Sequence, residues 1–355
     1  MQLFSFSYKA PEWELDELTP IKLTSLIVGK NAAGKTRTLQ SIQNVASFVL
    51  SKPFPFPSKT FKTKLVFSDN GDDSWRMTYA FEIEEGKVKS ERLMVHGSSI
   101  IQRTTTTASI RKEQINPPAD KLVIQVRRDR ELFPNIEMLM QWFEGLVFVA
   151  CSNINPYTNV VPAGFINPIP FSDLVNSLSK EAKKRVLDDA GSLGYYISDI
   201  STFVFNNELK FVSVKERYVK QDILDFQLSN GMIRVLYILC LMRYVQSPDN
   251  RCTLLLIDDI GEGLDYSRSI HLGNLVFSTC ENNGLQLITT SNDAFVMDVV
   301  DVSKWQIIRR NKRKISVINK SNKPDLFKKF SMTGLSNFDL FSSDFIDNYL
   351  HNNAR

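Results

Sequence analysis

SLIVGKNAAGKTRTLQ, residues 25–40, sets an apolar run against two glycines that bracket four residues and precede Lys35-Thr36. The stretch satisfies the pattern G-x-x-x-x-G-K-[ST] over residues 29–36. The apolar run, residues 23–28, reads as a buried strand, and from Lys35 onward apolar residues recur at helical spacing. Strand, glycine-rich loop and helix thus follow in the order in which a backbone wraps phosphate. Glycines let N–H groups turn inward, the helix start offers its positive dipole end, Lys35 neutralises β and γ charge, and Thr36 ligates Mg²⁺. The nucleotide-binding candidates here are Gly29, Lys30, Asn31, Ala32, Ala33, Gly34, Lys35, Thr36 and Arg37.

Such a loop needs a second anchor for the metal. Leu254-Leu255-Leu256-Ile257-Asp258-Asp259 ends four apolar residues in two acids, so a buried strand would deliver Asp258 beside the loop, where it holds Mg²⁺, while Asp259 orients or deprotonates the attacking water. An Asp-Asp pair after an apolar run also suits a helix cap or a calcium loop. A third element, Leu228-Ser229-Asn230-Gly231-Met232-Ile233-Arg234, opens a helix with a hydroxyl and bare N–H groups that can face an anion. Alone, Ser229 is simply an N-cap. With a phosphate loop already present, a second anion-binding helix start makes sense if it closes over nucleotide held by another subunit.

Around these motifs the chain begins with a short strand at residues 3–7, a turn at Ala10-Pro11 and a polar segment. After the proline-rich break Pro53-Phe54-Pro55, residues 61–110 alternate as TKLVFS, MTYAFEI, RLMVH and SIIQR, with turn signals such as Asn70-Gly71, and predict an antiparallel meander. Residues 135–198 read as mainly helical, with 172–190 one amphipathic helix, followed by the strand pair TFVFNN and LKFVSV. The final third alternates helix and buried strand (GMIRVLYILCLMRYV, TLLLID, SRSIHLGNLVFSTC, LQLITT) and ends in a hairpin, WQIIRRNKRKISVIN, and an aromatic-rich tail. That alternation implies an α/β fold with a mostly parallel sheet covered on both faces.

Composition excludes more than it selects. With 355 residues, 43% hydrophobic and 23% charged, the chain can bury a large core, and a net charge of +4 permits nucleic acid as a partner without requiring it. No stretch approaches the roughly 18 uncharged apolar residues of a membrane span, and the amino terminus lacks the pattern of a signal peptide, so a cytoplasmic protein with no membrane partner is expected. The four cysteines show no Cys-x-x-Cys spacing, and neither disulfides nor zinc is expected.

Taken together, IVGKNAAGKT, LSNGMIR, IDDIGEGLD and LQLITTSND resemble the ABC-type ATPase heads of the SMC, RecF and overcoming-lysogenization-defect kind, especially the AAA-annotated ATPases of bacterial defence systems. SERLMVHGSSIIQR is similar to that family's Glu-x-Leu stretch. The resemblance covers most of the chain and implies a P-loop ATPase head. Its lobes would be an ATPase lobe with Walker A at 1–60, a meander at 61–134, a helical insertion with a strand pair at 135–225, and a second ATPase lobe at 226–320 with a tail at 321–355.

It also implies two heads sandwiching ATP and Mg²⁺, each nucleotide held by one subunit's phosphate loop and capped by the other's Ser229 and Gly231, with Asp265 at the boundary where D-loops meet. A homodimer, or a higher even oligomer, follows. Two departures matter. Asp259 stands where the family places Glu, so Glu262 is an alternative acid, and Ser291 or Asn292 stands where the family places its switch histidine. Neutral groups there supply little positive charge to a developing transition state, which implies slow hydrolysis.

The cluster Arg309, Arg310, Lys312, Arg313 and Lys314 fits either a nucleic-acid backbone or the solvated turn of a hairpin. After Asp265 the pattern leaves no room for a Toprim nuclease, and no metal-nuclease cluster appears elsewhere, so any destructive chemistry would belong to a partner effector, a nuclease or other toxin. The implied function is an ATP-driven switch subunit of an anti-phage or toxin-like module. The alternative is a RecF-like repair ATPase acting on DNA.

Overall fold

Five short strands run parallel and bring the glycine loop to their shared carboxyl end. The computed structural model describes residues 1–52, 59–69, 72–154, 169–205 and 209–352; Pro53-Phe54-Pro55, Asn70-Gly71 and Asn206-Asn207 lie outside the described residues. In chain order the strands are β1 (Gln2–Ala10), β2 (Trp13–Leu18), β3 (Thr24–Val28), β4 (Phe61–Asp69), β5 (Asp72–Glu84), β6 (Lys87–Val95), β7 (Ser98–Arg103), β8 (Ala108–Ile110) and β9 (Glu113–Ile115). They continue as β10 (Leu146–Ala150), β11 (Ile197–Phe205), β12 (Leu209–Glu216), β13 (Ile223–Leu224), β14 (Leu254–Asp258), β15 (Gln286–Thr290), β16 (Trp305–Asn311) and β17 (Lys314–Ile318).

Among the described residues fourteen strands form one sheet, in the order β10-β14-β15-β3-β16-β17-β2-β1-β4-β5-β6-β7-β8-β9, and β11-β12-β13 form a second. From β10 to β16 all pairs are parallel. The hairpin β16–β17 turns the direction, β17 meets β2 in parallel over Lys314↔Glu14 and Ile315↔Leu15, and from β2 outward every pair is antiparallel.

The period-2 alternation of strand side chains splits the core in two. Leu26, Val28, Leu255, Ile257 and Leu287 face one way, against the helices Asn230–Val245 and Tyr266–Asn282. Ile27, Leu254, Leu256 and Ile288 face the other, against the helix Lys35–Val49 and the meander. Asn230–Val245 is apolar nearly all round, as a helix buried on every side must be, and each buried Leu or Ile contributes about 1.5–3 kcal/mol. No described helix is long and apolar enough to cross a membrane.

Three readings of the sequence need correction. The polar segment after Ala10 is strand β2, because Trp13, Leu15 and Leu18 are buried while the residues between them carry the charge. Within the span read as helical, LVFVA is strand β10, pairing Ala150 with Asp258; a five-residue apolar run beside a helix has no periodicity to separate strand from helix. The single helix at 172–190 is two, Phe171–Ser177 and Lys180–Ser192, broken where Ser179 caps the second by accepting from Ala182 N at 3.2 Å. The tail docks: Leu326, Phe327, Phe330, Leu340 and Ile346 are buried against the first core.

One buried carboxylate ties the meander to the chain that leaves it. Glu91 on β6, in the Glu-x-Leu stretch, is 1% exposed and accepts from Val123 N (2.6 Å), Ile124 N (3.3 Å) and Tyr79 Oη (3.0 Å). Burial outweighs these donors and raises its pKa from 4.5 to about 7. Because the folded value lies above the unfolded one, its contribution is full below pH 4.5 and is lost as pH rises through about 7. Glu91→Gln should therefore flatten the fall in stability across that interval, read from urea unfolding at several pH values. An unchanged slope would remove Glu91 as its source.

Candidate functional site

The loop at residues 29–36 owes its shape to packing from outside. Ala33 N donates to Lys30 O at 2.9 Å to close a turn with Ala32 at φ 61. Gly34 follows at φ 101, and a Cβ there would lie 2.2 Å from the Trp13 ring. A Cβ on Gly29 would meet Ile308 Cγ1 at 2.8 Å. Both glycines are thus required by their neighbours as well as by any phosphate. Lys35, 6% exposed, donates from Nζ to Gly29 O at 2.9 Å.

At the end of β14, two strands away, Asp258 is 2% exposed and accepts from Thr290 Oγ1 at 2.6 Å; its carboxyl also hydrogen-bonds the Thr36 side chain. Thr290 Oγ1 in turn accepts from Asp259 N at 2.8 Å, so one hydroxyl orients both acids. Asp259 sits at φ 55 and its buried Oδ1 has no hydrogen-bond partner among the described residues. Burial raises both carboxyls above the usual aspartate range, and for Asp259 the neighbouring Asp258 charge adds to it. Burial lowers Lys35, against the pull of the two acids.

Lys35, Thr36 and Asp259 open on a cleft of about 1050 Å³ lined also by Asn31, Gly34 and Asn292. Tyr8, Pro11, Glu12, Gln40 and Asn44 line it too, as does Arg310, which donates to Ala32 O. Arg37 stacks on Trp13, its guanidinium carbon 4.8 Å from the ring centroid.

The sequence family described as "AAA domain, putative AbiEii toxin, Type IV TA system" matches residues 25–298. The chain belongs to this AAA-domain family. No curated protein matches it. Among solved structures the AAA protein is similar to an SMC head bound to the C-winged helix domain of ScpA, at 12% identity and TM-score 0.57 over 92% of this chain and 100% of that one. It is likewise similar to the Pyrococcus furiosus SMC head with an extended coiled coil bound to the C-terminal domain of ScpA, at 11% identity and TM-score 0.53 over 93% and 99%. At such identities the likeness concerns the fold: the AAA protein has the P-loop ATPase fold of an SMC head.

Ser229 and Gly231 lie elsewhere on this AAA protein. Ser229, exposed, caps the helix Asn230–Val245 by accepting from Met232 N at 3.2 Å, which leaves its own hydroxyl hydrogen free to donate. A Cβ on Gly231 would lie 3.3 Å from Gly263 O, so this helix start abuts the turn after Asp259. Glu262 belongs to that surface and not to the cleft lining: it is exposed and pairs with Arg234 at 3.8 Å. Asp265, also exposed, caps the helix Tyr266–Asn282 through Arg268 N at 3.1 Å and pairs with Arg268 at 2.7 Å.

Ser291 is corrected as a cleft residue. It is 0% exposed, donates to Ile260 O at 2.8 Å and accepts from Asp293 N at 3.0 Å; the adjacent Asn292 lines the cleft instead. Sequence reasoning gave Thr290 no role, and only strand register reveals one. Among the described residues no three His, Cys, Asp or Glu side chains converge to hold a metal ion by themselves. Thr290→Val keeps the shape and leaves Asp259 N without an acceptor. It should cost about 1–3 kcal/mol of unfolding free energy, measured in urea, where Ser267→Ala on the exposed helix start should cost less than about 0.5.

Proposed function

We propose that the protein binds and slowly hydrolyses ATP as a switch, pairing with a second copy through the nucleotide and controlling a partner effector. The carrying observation is the convergence of Lys35, Thr36 and Asp259, with its unpartnered Oδ1, on one cleft, with buried Asp258 bonded to Thr36 and Thr290 beneath them, while exposed Ser229 and half-buried Gly231 lie outside the cleft lining. In this reading residues 29–37 hold the phosphates, and Ser229 and Gly231 cap the nucleotide of the other copy, with Asp265 at the seam.

The residues fit Mg²⁺. Buried Asp258 and half-buried Asp259 outnumber the one lysine beside them, and Thr36 and Asp258 offer adjacent oxygens suited to a hard cation that would complete its shell with water and phosphate. When bound, the ion neutralises phosphate charge. Asp259, whose Oδ1 is unpartnered, accepts the proton of the attacking water; Glu262, paired with Arg234, does not reach it in this reading. A short acid and a neutral Asn292 give little transition-state stabilisation, which supports slow turnover.

The family's description names a toxin and a type IV TA system, which supports a place in a toxin-like module. The basic hairpin favours this over direct action on DNA, because Arg309 pairs with Asp347, Lys314 with Asp16, and Arg313 donates to Pro11 O.

Light scattering tests the switch. Asp259→Asn with MgATP should run as a dimer and with ADP as a monomer. Lys35→Ala should stay monomeric in both, and Ser229→Arg should bind ATP yet stay monomeric. Turnover of the protein alone should be slower than about 1 s⁻¹. A mass indifferent to nucleotide, or Lys35→Ala pairing in ATP, would contradict the proposal.

A further inference from the structure

Strand β16 runs parallel to the strand that feeds the phosphate loop, pairing Trp305 with Leu26, Gln306 with Ile27 and Ile307 with Val28. One residue on, Ile308 packs against Gly29. Two further on, Arg310 reaches back across the loop: a terminal guanidinium nitrogen donates to Ala32 O at 3.3 Å and Nε donates to Lys312 O at 2.7 Å. Both acceptors are backbone carbonyls. They fix the plane of the guanidinium without neutralising it, and its remaining N–H groups are available to a ligand.

The charges around Arg310 are balanced differently. Arg309 and Lys30 both pair with Asp347 on the tail helix Phe345–Asn352, and Lys314 pairs with Asp16. Arg310 forms no ion pair among the described residues, although it lines the same cleft as Lys35, Thr36, Asp259 and Asn292. An unpaired, oriented guanidinium beside a phosphate loop presents a planar fork of N–H donors that suits two oxygens of a tetrahedral phosphate.

Lys35 and Thr36 open the helix whose N–H groups hold inner phosphates, whereas Arg310 is bonded to Ala32 O in the turn before that helix start and comes from a separate strand. We propose that Arg310 contacts the terminal phosphate of a nucleoside triphosphate and is the residue by which the cleft tells it from a diphosphate. This rests on the nucleotide reading above and adds a contact outside the loop motif.

Calorimetry with Mg²⁺ and either a non-hydrolysable ATP analogue or ADP tests the inference on wild type, Arg310→Gln and Arg310→Lys. Arg310→Gln should bind the analogue at least tenfold more weakly than wild type while its ADP affinity moves less than about twofold, and Arg310→Lys should recover part of the loss. Equal losses for both nucleotides would make Arg310 a clamp on the Ala32 turn and overturn the proposal, as would no loss at all. Wild type binding neither nucleotide would overturn the nucleotide reading and this inference together. Arg310→Lys, which keeps the charge, covers the case in which the glutamine variant does not fold.

Discussion

A carboxylate at the end of a central buried strand is costly unless its charge is met, and Asp258 is such a group. Thr290, Thr36 and Lys35 all address it, from two other points of the chain, and burial still outweighs them. Asp259 adds a second acid with an unpartnered oxygen. The site is therefore built short of positive charge. On the proposed reading, a divalent ion carried in with phosphate would supply what is missing, and the cleft would take the pair better than either alone.

The surrounding architecture serves that geometry. Parallel register between β14 and β15 sets Thr289 opposite Ile257, so Thr290 arrives beside Asp258. The β1–β2 hairpin presses Trp13 onto Gly34, and β16 presses Ile308 onto Gly29, so two elements remote in sequence shape the loop from outside. The tail joins them: Asp347 reaches both Lys30 in the loop and Arg309 on β16. Loop conformation is thereby tied to the far end of the chain.

How much of this the sequence shows depends on whether a feature is local. The glycine loop, the strand ending in Asp258 and the Ser229 cap each sit inside a few residues with a distinctive order, and each is legible there. The α/β class follows from alternating helix and buried strand. Strand β10 is not legible, since LVFVA has no period to read, and β2 hides its buried Trp13 and Leu15 between charges. Pairing across the sheet is also silent in the sequence, which is why Ser291 reads as a cleft group until its hydroxyl is found bonded to Ile260 and Asp293, why Thr290 carries no signal of its own, and why Arg310 reads only as one of a basic cluster.

Amide hydrogen exchange with and without MgATP tests the central claim most directly, since it reports on the loop's own N–H groups. Phosphate held in the cleft should slow exchange in peptides covering residues 29–36 and 254–259, with no comparable slowing from Mg²⁺ alone. Unchanged exchange across residues 29–36 at saturating MgATP, or protection confined to other parts of the chain, would contradict the account.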